Sequence, residues 1–266
     1  MSESTSGGRY VLDNDEPTAV AMLDCLSGVL DELTTARLRE AGVPVGGRCL
    51  EIGAGNGSIA AWLADRVGIA GEVIATDVKP QHVRPHPRVE VLTHDICVDP
   101  LPEGQFDVIH ARLVLAHLPA RREILGRLVQ ALAPGGALLV EEWGARPGAV
   151  LAASDPDAAE LYTRYQQALL DVFAAWGNDS GWAASVPRVM LAAGLVAVDT
   201  TAHARSWTGG TAGCRLPIAV SSELHEHLVN AGMPASDLVR LRELLADPTL
   251  VLLGNLTYST LGRRPR

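Results

Sequence analysis

The stretch CLEIGAGNGS, residues 49–58, decides the fold, because a short apolar run ends in a glutamate and three glycines follow within five positions. Gly53, Gly55 and Gly57 have no Cβ atom, so the backbone there can turn tightly and approach a ligand closely. The stretch therefore predicts a strand, a ligand-contacting turn and the start of a helix. A tight turn that serves only packing is the alternative.

The spacing of the glycines narrows the choice of ligand. A P-loop requires GxxxxGK[ST], and this turn contains no lysine. A dinucleotide fingerprint requires GxGxxG, whereas here the third glycine comes one position early, at Gly57, and Ser58 stands in its place. The turn therefore departs from the arrangement that holds a pyrophosphate.

Short apolar segments alternate with helical segments between Gly46 and Trp143. The predicted strands cover 48–53, 71–77, 88–95, 105–111 and 136–143, and the predicted helices cover 57–67 and 120–133. This alternation indicates a parallel sheet covered on both faces. Upstream, Asp13 and Glu16 have capping-box spacing, and apolar residues at helical spacing predict one or two helices over 17–41.

The alternation ends after Trp143. The later segments predict a helix from 154–156 to Gly177, a helix over 187–195, a strand over 196–207, two helices in 215–246 and a last strand over 249–262. We therefore expect one domain in four segments. These are an N-terminal helical cap (1–45), a ligand-binding core (46–143), a helical lid insertion (144–192) and a C-terminal strand pair with inserted helices (193–266).

Two carboxylates follow predicted strands at the edge where open α/β sheets bind ligands. Asp77 ends the second strand, where a carboxylate can accept both hydroxyls of a ribose. Asp95 occupies the same edge after the third strand, in position to accept from an exocyclic adenine amine. Together with the glycine turn, they predict an adenosine site without a phosphate site.

Five motifs resemble, in order and spacing, those of class I S-adenosylmethionine-dependent methyltransferases of the UbiE-like small-molecule type. They are LEIGAGNGS, VIATD, LTHDI, FDVIHARLVLAHL and LAPGGALLVEE, and the resemblance covers residues 46–143. It implies a Rossmann-like α/β fold: a seven-stranded, mostly parallel sheet with an antiparallel last strand, helices on both faces and helical lid elements. The implied cofactor is S-adenosyl-L-methionine, and LAPGG before the fifth strand argues against a dehydrogenase.

The resemblance assigns cofactor contacts residue by residue. The methionine part would contact the first strand and its turn, and the ribose would contact Asp77. Val78 would pack on the adenine, and Asp95 with Ile96 would hold the adenine edge. The turn residues assigned in this way are Glu51, Gly53, Ala54, Gly55 and Asn56, with Gly57 completing the turn. Ala111 and Arg112 would lie beside the sulfonium, and Tyr10 matches a lid tyrosine of some relatives.

Methyl transfer is a direct displacement, and a base is needed only if the nucleophile arrives protonated. His117, just beyond the fourth strand, is the candidate general base, with helix capping or packing as the alternative. His110 lies within the strand and is expected to be structural. His225 and His227 are two positions apart and point to different helix faces, so no metal is expected.

The substrate pocket is expected between the sheet edge and the lid. Glu142 and Trp143 leave the fifth strand at that edge, and aromatic residues concentrate in the lid although they make up only 4% of the chain. The lid candidates are Tyr162, Tyr165, Trp176 and Trp182, for a flat or hydrophobic molecule, and Asp179 in the polar loop 177–182. Core packing for the aromatic residues, and turn stabilisation for Asp179, remain the alternatives.

Composition limits the partners. The chain has 22 basic and 31 acidic residues and a net charge of −9, so it lacks the positive field that binds nucleic acid. Four cysteines without metal-ligand spacing, no apolar signal-like start and no bilayer-length apolar run predict a cytoplasmic protein without a membrane partner. We expect a small-molecule substrate, and assembly into a homodimer is left open.

Three functions fit these observations. The first is methyl transfer to O, N or C of a small molecule, in specialised (natural product) metabolism. The second is a cyclase or rearrangement enzyme that binds S-adenosylmethionine without transferring its methyl group. The third is a non-catalytic partner subunit of the same fold.

Overall fold

A computed structural model describes residues 19–146 and 148–266. The first helix, α1, spans Ala19–Ala41 within these ranges, so one helix covers the described part of the segment predicted to hold one or two over 17–41. Tyr10, Asp13 and Glu16 lie outside the described residues, so the predictions made for them stay predictions.

The centre of the fold is a seven-stranded sheet. Its strands are β1 (Arg48–Ile52), β2 (Glu72–Asp77), β3 (Val89–Thr93), β4 (Phe106–Arg112), β5 (Leu132–Trp143), β7 (Val196–His203) and β10 (Thr257–Arg263), in the order β3-β2-β1-β4-β5-β10-β7. β1 to β5 pair in parallel, whereas β10 pairs antiparallel with both β5 and β7. The predicted Rossmann-like sheet with an antiparallel last strand is confirmed.

Helices cover both faces of the sheet. α2 (Ser58–Val67) and the second half of α1 pack on one face, through apolar residues such as Leu38 and Leu63. α3 (Arg121–Ala131) and α5 (Trp182–Ala192) pack on the other, through residues such as Leu125 and Met190. The strand residues alternate accordingly: Leu50 and Ile109 face α3 and α5, and Cys49 and Val108 face α1 and α2.

A separate apolar cluster forms what we call the cap. It contains the first half of α1 together with α4 (Ala158–Ala175), α6 (Ala212–Glu223), α7 (His225–Asn230) and α8 (Ala235–Ala246). A second sheet of three antiparallel strands, β6 (Ala149–Ala152), β9 (Val251–Leu253) and β8 (Ser206–Thr208), in the order β6-β9-β8, belongs to this cap. Trp143, at the carboxyl end of β5, packs against the cap cluster, so the cap lies over the ligand edge of the sheet.

The structure corrects three predictions for the C-terminal half. The segment 249–262 forms two strands rather than one, because the chain leaves the second sheet after Leu253 and enters the main sheet at Thr257. The strand expected over 196–207 ends at His203, and the residues after it join the second sheet as β8. Three helices, not two, occupy the region from 212 to 246.

The segment predicted as one lid, 144–192, contains two helices with different surroundings. α4 packs against α7, α8 and β6 in the cap. α5 instead packs against α3, β5, β7 and β10, and therefore belongs to the helical layer of the main sheet.

Candidate active site

The glycine turn after β1 has the tight backbone that its sequence predicts. Gly53, Gly55 and Gly57 all have left-handed backbone conformations, with φ of 69°, 57° and 81°. The N–H groups of Gly53 and Ala54 both donate to Thr76 O, at 2.8 and 3.0 Å, which ties the turn to the end of β2. A Cβ atom on Gly53 would lie 2.3 Å from Val114 Cγ2, so only glycine lets the segment after β4 pack this closely.

Asp77 lies beside the glycine turn and orders it. Its side chain accepts hydrogen bonds from the N–H of Gly55, at 3.0 Å, and of Lys79, at 2.9 Å, one on each carboxylate oxygen. The residue is 8% exposed, and burial raises the pKa of the carboxyl group despite these backbone hydrogen bonds. A carboxylate offers about four acceptor positions, so this one can still accept from a bound hydroxyl.

The residues predicted for adenine follow along the same edge. Val78 directly follows Asp77 and is 54% exposed, which suits a side chain that packs on a flat ring. Asp95 is exposed, and its Oδ1 accepts from the N–H of Cys97 at 2.9 Å, which fixes the turn after β3. Ile96 is buried in the core. The structure brings Asp77 and the residues after β3 together, because β2 and β3 pair directly and His94 N donates to Asp77 O at 2.9 Å.

α1 contributes a line of polar side chains that we did not predict. Its residues Asp24, Ser27, Asp31 and Thr34 recur at spacings of three and four and therefore share one face of the helix. Asn56 Nδ2 donates to Asp24 Oδ1 at 2.9 Å, and Ser27 Oγ donates to Asn56 Oδ1 at 3.0 Å. The helical spacing of these polar residues was the signal that could have revealed them.

The residues predicted beside the sulfonium differ in their surroundings. Ala111 is fully buried on the face that α3 and α5 cover. Arg112 instead points to α1, and its Nη1 donates to Asp31 Oδ1 and to Thr34 Oγ1, each at 2.9 Å. The positive charge of Arg112 is therefore paired.

A buried polar row lies beneath α1. Glu51 on β1, His110 on β4 and Glu141 on β5 face the same side of the sheet, and His110 Nδ1 lies 2.8 Å from Glu51 Oε2. The negative charges of the two glutamates raise the pKa of His110 to about 9, against the opposing effect of burial. Sequence reasoning assigned His110 a structural place only and did not single out Glu141.

His117 lies in a 3-10 turn, Leu115–His117, after β4. Its ring packs edge-on against Phe173 of α4, with ring centroids 5.8 Å apart, and Asn178 Nδ2 donates to its Nδ1 at 3.0 Å. Burial, and secondarily the charge of Arg121, lower its pKa to about 4. The imidazole is therefore neutral at pH 7 and a weak base, and these contacts favour packing over general-base catalysis.

Glu142 and Asp179 both hold backbone around that turn. Glu142 faces the side of the sheet opposite to Glu141, and its Oε1 accepts from the N–H of Ala116 at 3.1 Å. Burial raises the pKa of Glu142 to about 8. Asp179 Oδ1 accepts from the N–H of Gly181 at 3.0 Å, and its Oδ2 pairs with Arg121 at 3.2 Å, which agrees with the turn-stabilising alternative.

The aromatic candidates do not form one group. Tyr162 is buried in the cap beside Gly148. Trp143, at the ligand edge, has a buried Nε1 that finds no hydrogen-bond partner among the described residues. Tyr165 is fully buried in the cap core, and Trp182 is fully buried in the core under α5. Trp176 is 41% exposed and packs edge-on against His227.

A metal centre or a surface depression elsewhere would offer a different kind of site from this edge. Within residues 19–146 and 148–266 there is no group of three or more His, Cys, Asp or Glu side chains that could hold a metal ion. A surface depression of about 560 Å³ between α3 and α5 is lined by Arg122, Arg188, Val189, Ala192 and Ala193. It contains none of the predicted cofactor residues, so the candidate site remains the carboxyl edge of the sheet.

Three features together define a class I S-adenosylmethionine-dependent methyltransferase. They are a Rossmann-like sheet in which β10, next to the edge strand β7, runs antiparallel to its neighbours, a glycine turn after β1, and a carboxylate at the end of β2. The family model described as a methyltransferase domain matches residues 28–188, more than half of the 266-residue chain. The chain belongs to this methyltransferase family.

Two relatives illustrate the similarity. The methyltransferase str2 of Strobilurus tenacellus is 35% identical over 143 residues, which are 53% of this chain and 51% of the relative. The ubiquinone/menaquinone biosynthesis C-methyltransferase UbiE of Ectopseudomonas mendocina is 30% identical over 155 residues, 54% of this chain and 58% of the relative. The chain thus spans about half the length of these curated relatives.

Solved structures share the fold at low sequence identity. A putative methyltransferase from Bacillus halodurans superimposes with a TM-score of 0.56 at 15% identity, covering 87% of this chain and 98% of that one. The phosphoethanolamine N-methyltransferase 2 of Haemonchus contortus, solved with phosphomonomethylethanolamine and S-adenosylhomocysteine, gives a TM-score of 0.60 at 13% identity, covering 100% of this chain and 62% of that one.

Across the described ranges, no helix combines the length and the apolar composition that crossing a bilayer requires.

Proposed function

We propose that this protein transfers a methyl group from S-adenosylmethionine to O, N or C of a small molecule, in specialised metabolism. The observation that carries the proposal is Asp77, a buried carboxylate at the end of β2 that is clamped to Gly55 and Lys79. It lies beside a glycine turn whose spacing departs from the pyrophosphate fingerprint. Membership of the methyltransferase family supports the same conclusion.

The donors and acceptors at this edge fit the cofactor. Asp77 would accept the ribose hydroxyls, Val78 would pack on the adenine, and Asp95 would accept from its exocyclic amine. Glu51 and the turn at Gly53 would hold the methionine portion. The bound cofactor supplies an electrophilic methyl group on a positively charged sulfur. Negative or neutral side chains around that sulfur favour binding of the cofactor.

The chain's own contribution is alignment and exclusion of water. Aligning two reactants contributes on the order of 7–11 kcal/mol to lowering a barrier. The cap over the ligand edge, with Trp143 packed against it, would shield the reacting atoms. The ion pair between Arg112 and Asp31 keeps a guanidinium from opposing the sulfonium charge.

We further propose that the acceptor reacts without a proton transfer to His117. Its Nδ1 accepts a hydrogen bond from Asn178 Nδ2 at 3.0 Å, and its ring packs against Phe173. Burial also lowers its pKa to about 4, so the imidazole is a poor proton acceptor at neutral pH. Acceptors that are nucleophilic without such help are acidic phenols, carboxylates and activated carbons.

Two measurements test the proposal in sequence. Titration calorimetry should give micromolar binding of S-adenosylmethionine or S-adenosylhomocysteine and no binding of NAD; tight NAD binding would overturn the assignment. Candidate acceptors are then incubated with methyl-labelled cofactor and analysed by mass spectrometry. A labelled methyl gain in the product supports transfer, whereas a product of unchanged mass would indicate a rearrangement enzyme.

A further inference from the structure

Three ionisable side chains are buried side by side in the middle of the main sheet. Glu51, His110 and Glu141 are 3%, 0% and 0% exposed and lie on the neighbouring strands β1, β4 and β5. Glu51 and His110 are direct register partners. Charged side chains are rarely buried this fully unless they pair with one another, so the three side chains are expected to be paired within the row.

The histidine bridges the two glutamates. Its Nδ1 lies 2.8 Å from Glu51 Oε2, and its Nε2 lies 3.4 Å from Glu141 Oε2. Hydrogen bonds from both ring nitrogens to carboxylate oxygens require a positively charged ring, which agrees with the His110 pKa of about 9 that the two glutamates cause. One buried cation therefore compensates two buried anions.

The two glutamates are held unequally. Glu141 also accepts from Thr34 Oγ1 of α1 and from Ser259 Oγ of β10, the latter at 2.7 Å. In the described part of the chain, the Glu51 carboxylate has a hydrogen bond from His110 alone. The position and charge of the Glu51 carboxylate thus depend on His110, whereas Glu141 would stay anchored without it.

We propose that His110 is a positioning residue for the cofactor: it fixes the Glu51 carboxylate at the methionine end of the site and links it, through Glu141 and Thr34, to α1. The inference rests on the proposed function, because Glu51 precedes the glycine turn that would hold the amino-acid portion of the cofactor. The adenosine portion would lie at Asp77, on the next strand, and would not depend on this row. His110 should therefore affect only one end of the cofactor.

Two amide variants separate the two hydrogen bonds. In His110→Asn the amide nitrogen takes the place of Nδ1 and keeps a donor toward Glu51. In His110→Gln it takes the place of Nε2 and keeps a donor toward Glu141 only. The two variants are both neutral and both polar, and they differ in which glutamate stays held.

Calorimetry with two ligands reports the effect at each end of the site. S-adenosylhomocysteine contains the amino-acid portion, and 5′-methylthioadenosine lacks it. His110→Gln should weaken S-adenosylhomocysteine binding about ten-fold or more, since a hydrogen bond to a charged group is lost, and leave methylthioadenosine binding within about two-fold. His110→Asn should stay within about three-fold of the native protein for both ligands.

Ser259→Ala is the matched control. It removes a buried hydrogen bond from the other end of the same row, so it should lower the melting temperature without changing the ratio of the two affinities. If His110→Gln does not fold, His110→Gln/Glu141→Gln removes one of the two buried negative charges that the neutral glutamine no longer compensates, and the same selective loss is expected.

The outcomes distinguish the two proposals. If His110→Gln weakens both ligands equally, or only lowers stability as Ser259→Ala does, the positioning role is wrong while the proposed function stands. If the native protein binds neither ligand, the proposed function is wrong and this inference with it.

Discussion

Replacing Asp77 by alanine tests the cofactor site most directly. The change removes the acceptor for the N–H groups of Gly55 and Lys79, and with it the carboxylate that we propose accepts the two ribose hydroxyls. Each hydrogen bond to a charged group is worth about 1.5–3 kcal/mol, and water compensates part of that loss. We therefore expect S-adenosylhomocysteine to bind about 2–4 kcal/mol more weakly, roughly 30- to 1,000-fold in Kd.

Titration calorimetry on folded protein measures this loss, and a matched carboxylate controls for stability. Asp107 also accepts a backbone N–H, that of Arg48 at 2.8 Å, but near the start of β4 at the opposite edge of the sheet. Asp107→Ala should cost about 1–3 kcal/mol of folding stability and leave the Kd unchanged. A Kd within two-fold of the native value in folded Asp77→Ala would refute the ribose assignment.

Three further predictions concern the glycine turn and the segment after β4. Gly53→Ala should weaken S-adenosylhomocysteine binding and cost about 1–3 kcal/mol of folding stability, because the added Cβ atom meets Val114. Gly126→Ala is the control, since this position on α3 faces open space, and it should be neutral or stabilising. Equal effects of the two changes in thermal melts would contradict the close approach of Val114 to the turn. His117→Ala should lower the melting temperature while turnover per folded molecule stays within a few-fold, and a loss of 100-fold or more in turnover would restore the general base. Because the pKa of Glu142 is raised from 4.5 to about 8 in the folded protein, its protonated carboxyl group stabilises the fold at low pH, and the protein should lose this stability as pH rises from 4.5 through about 8, by at most about 1.4 kcal/mol per pH unit. In Glu142→Gln the free energy of unfolding should therefore change less between pH 5 and 8, and parallel curves for the two proteins would argue against a buried protonated carboxyl group.

The ligand edge was predictable because its signals are local. The glycines at 53, 55 and 57 follow β1 directly, and the carboxylates Asp77 and Asp95 follow their own strands, so short stretches of sequence contain the whole pattern. Parallel pairing then brings the strand ends together without further information.

The cap and the polar row were not predictable in the same way. β6, β8 and β9 are three or four residues long and pair across large sequence separations, so the apolar run after Asp247 resembled one strand continuing to Gly262. His110 and Glu141 occupy strand positions that normally hold apolar residues, and only the register of β1, β4 and β5 reveals that they meet. The concentration of aromatic residues in the lid segment also did not indicate one shared pocket, since Tyr165 lies in the cap core and Trp176 at the surface.

α1 is the element that connects the cap to the sheet. Its first half packs into the cap through Met22 and Cys25, and its second half packs on the sheet through Leu38. In the middle of the helix, the polar face of α1 contacts the glycine turn, Arg112 and Glu141. A substrate held by the cap and a cofactor held by the sheet would therefore share one rigid wall. Since methyl transfer depends on the alignment of the two reactants, a helix fixed at both ends and hydrogen-bonded to the cofactor edge in its middle is well suited to set that alignment.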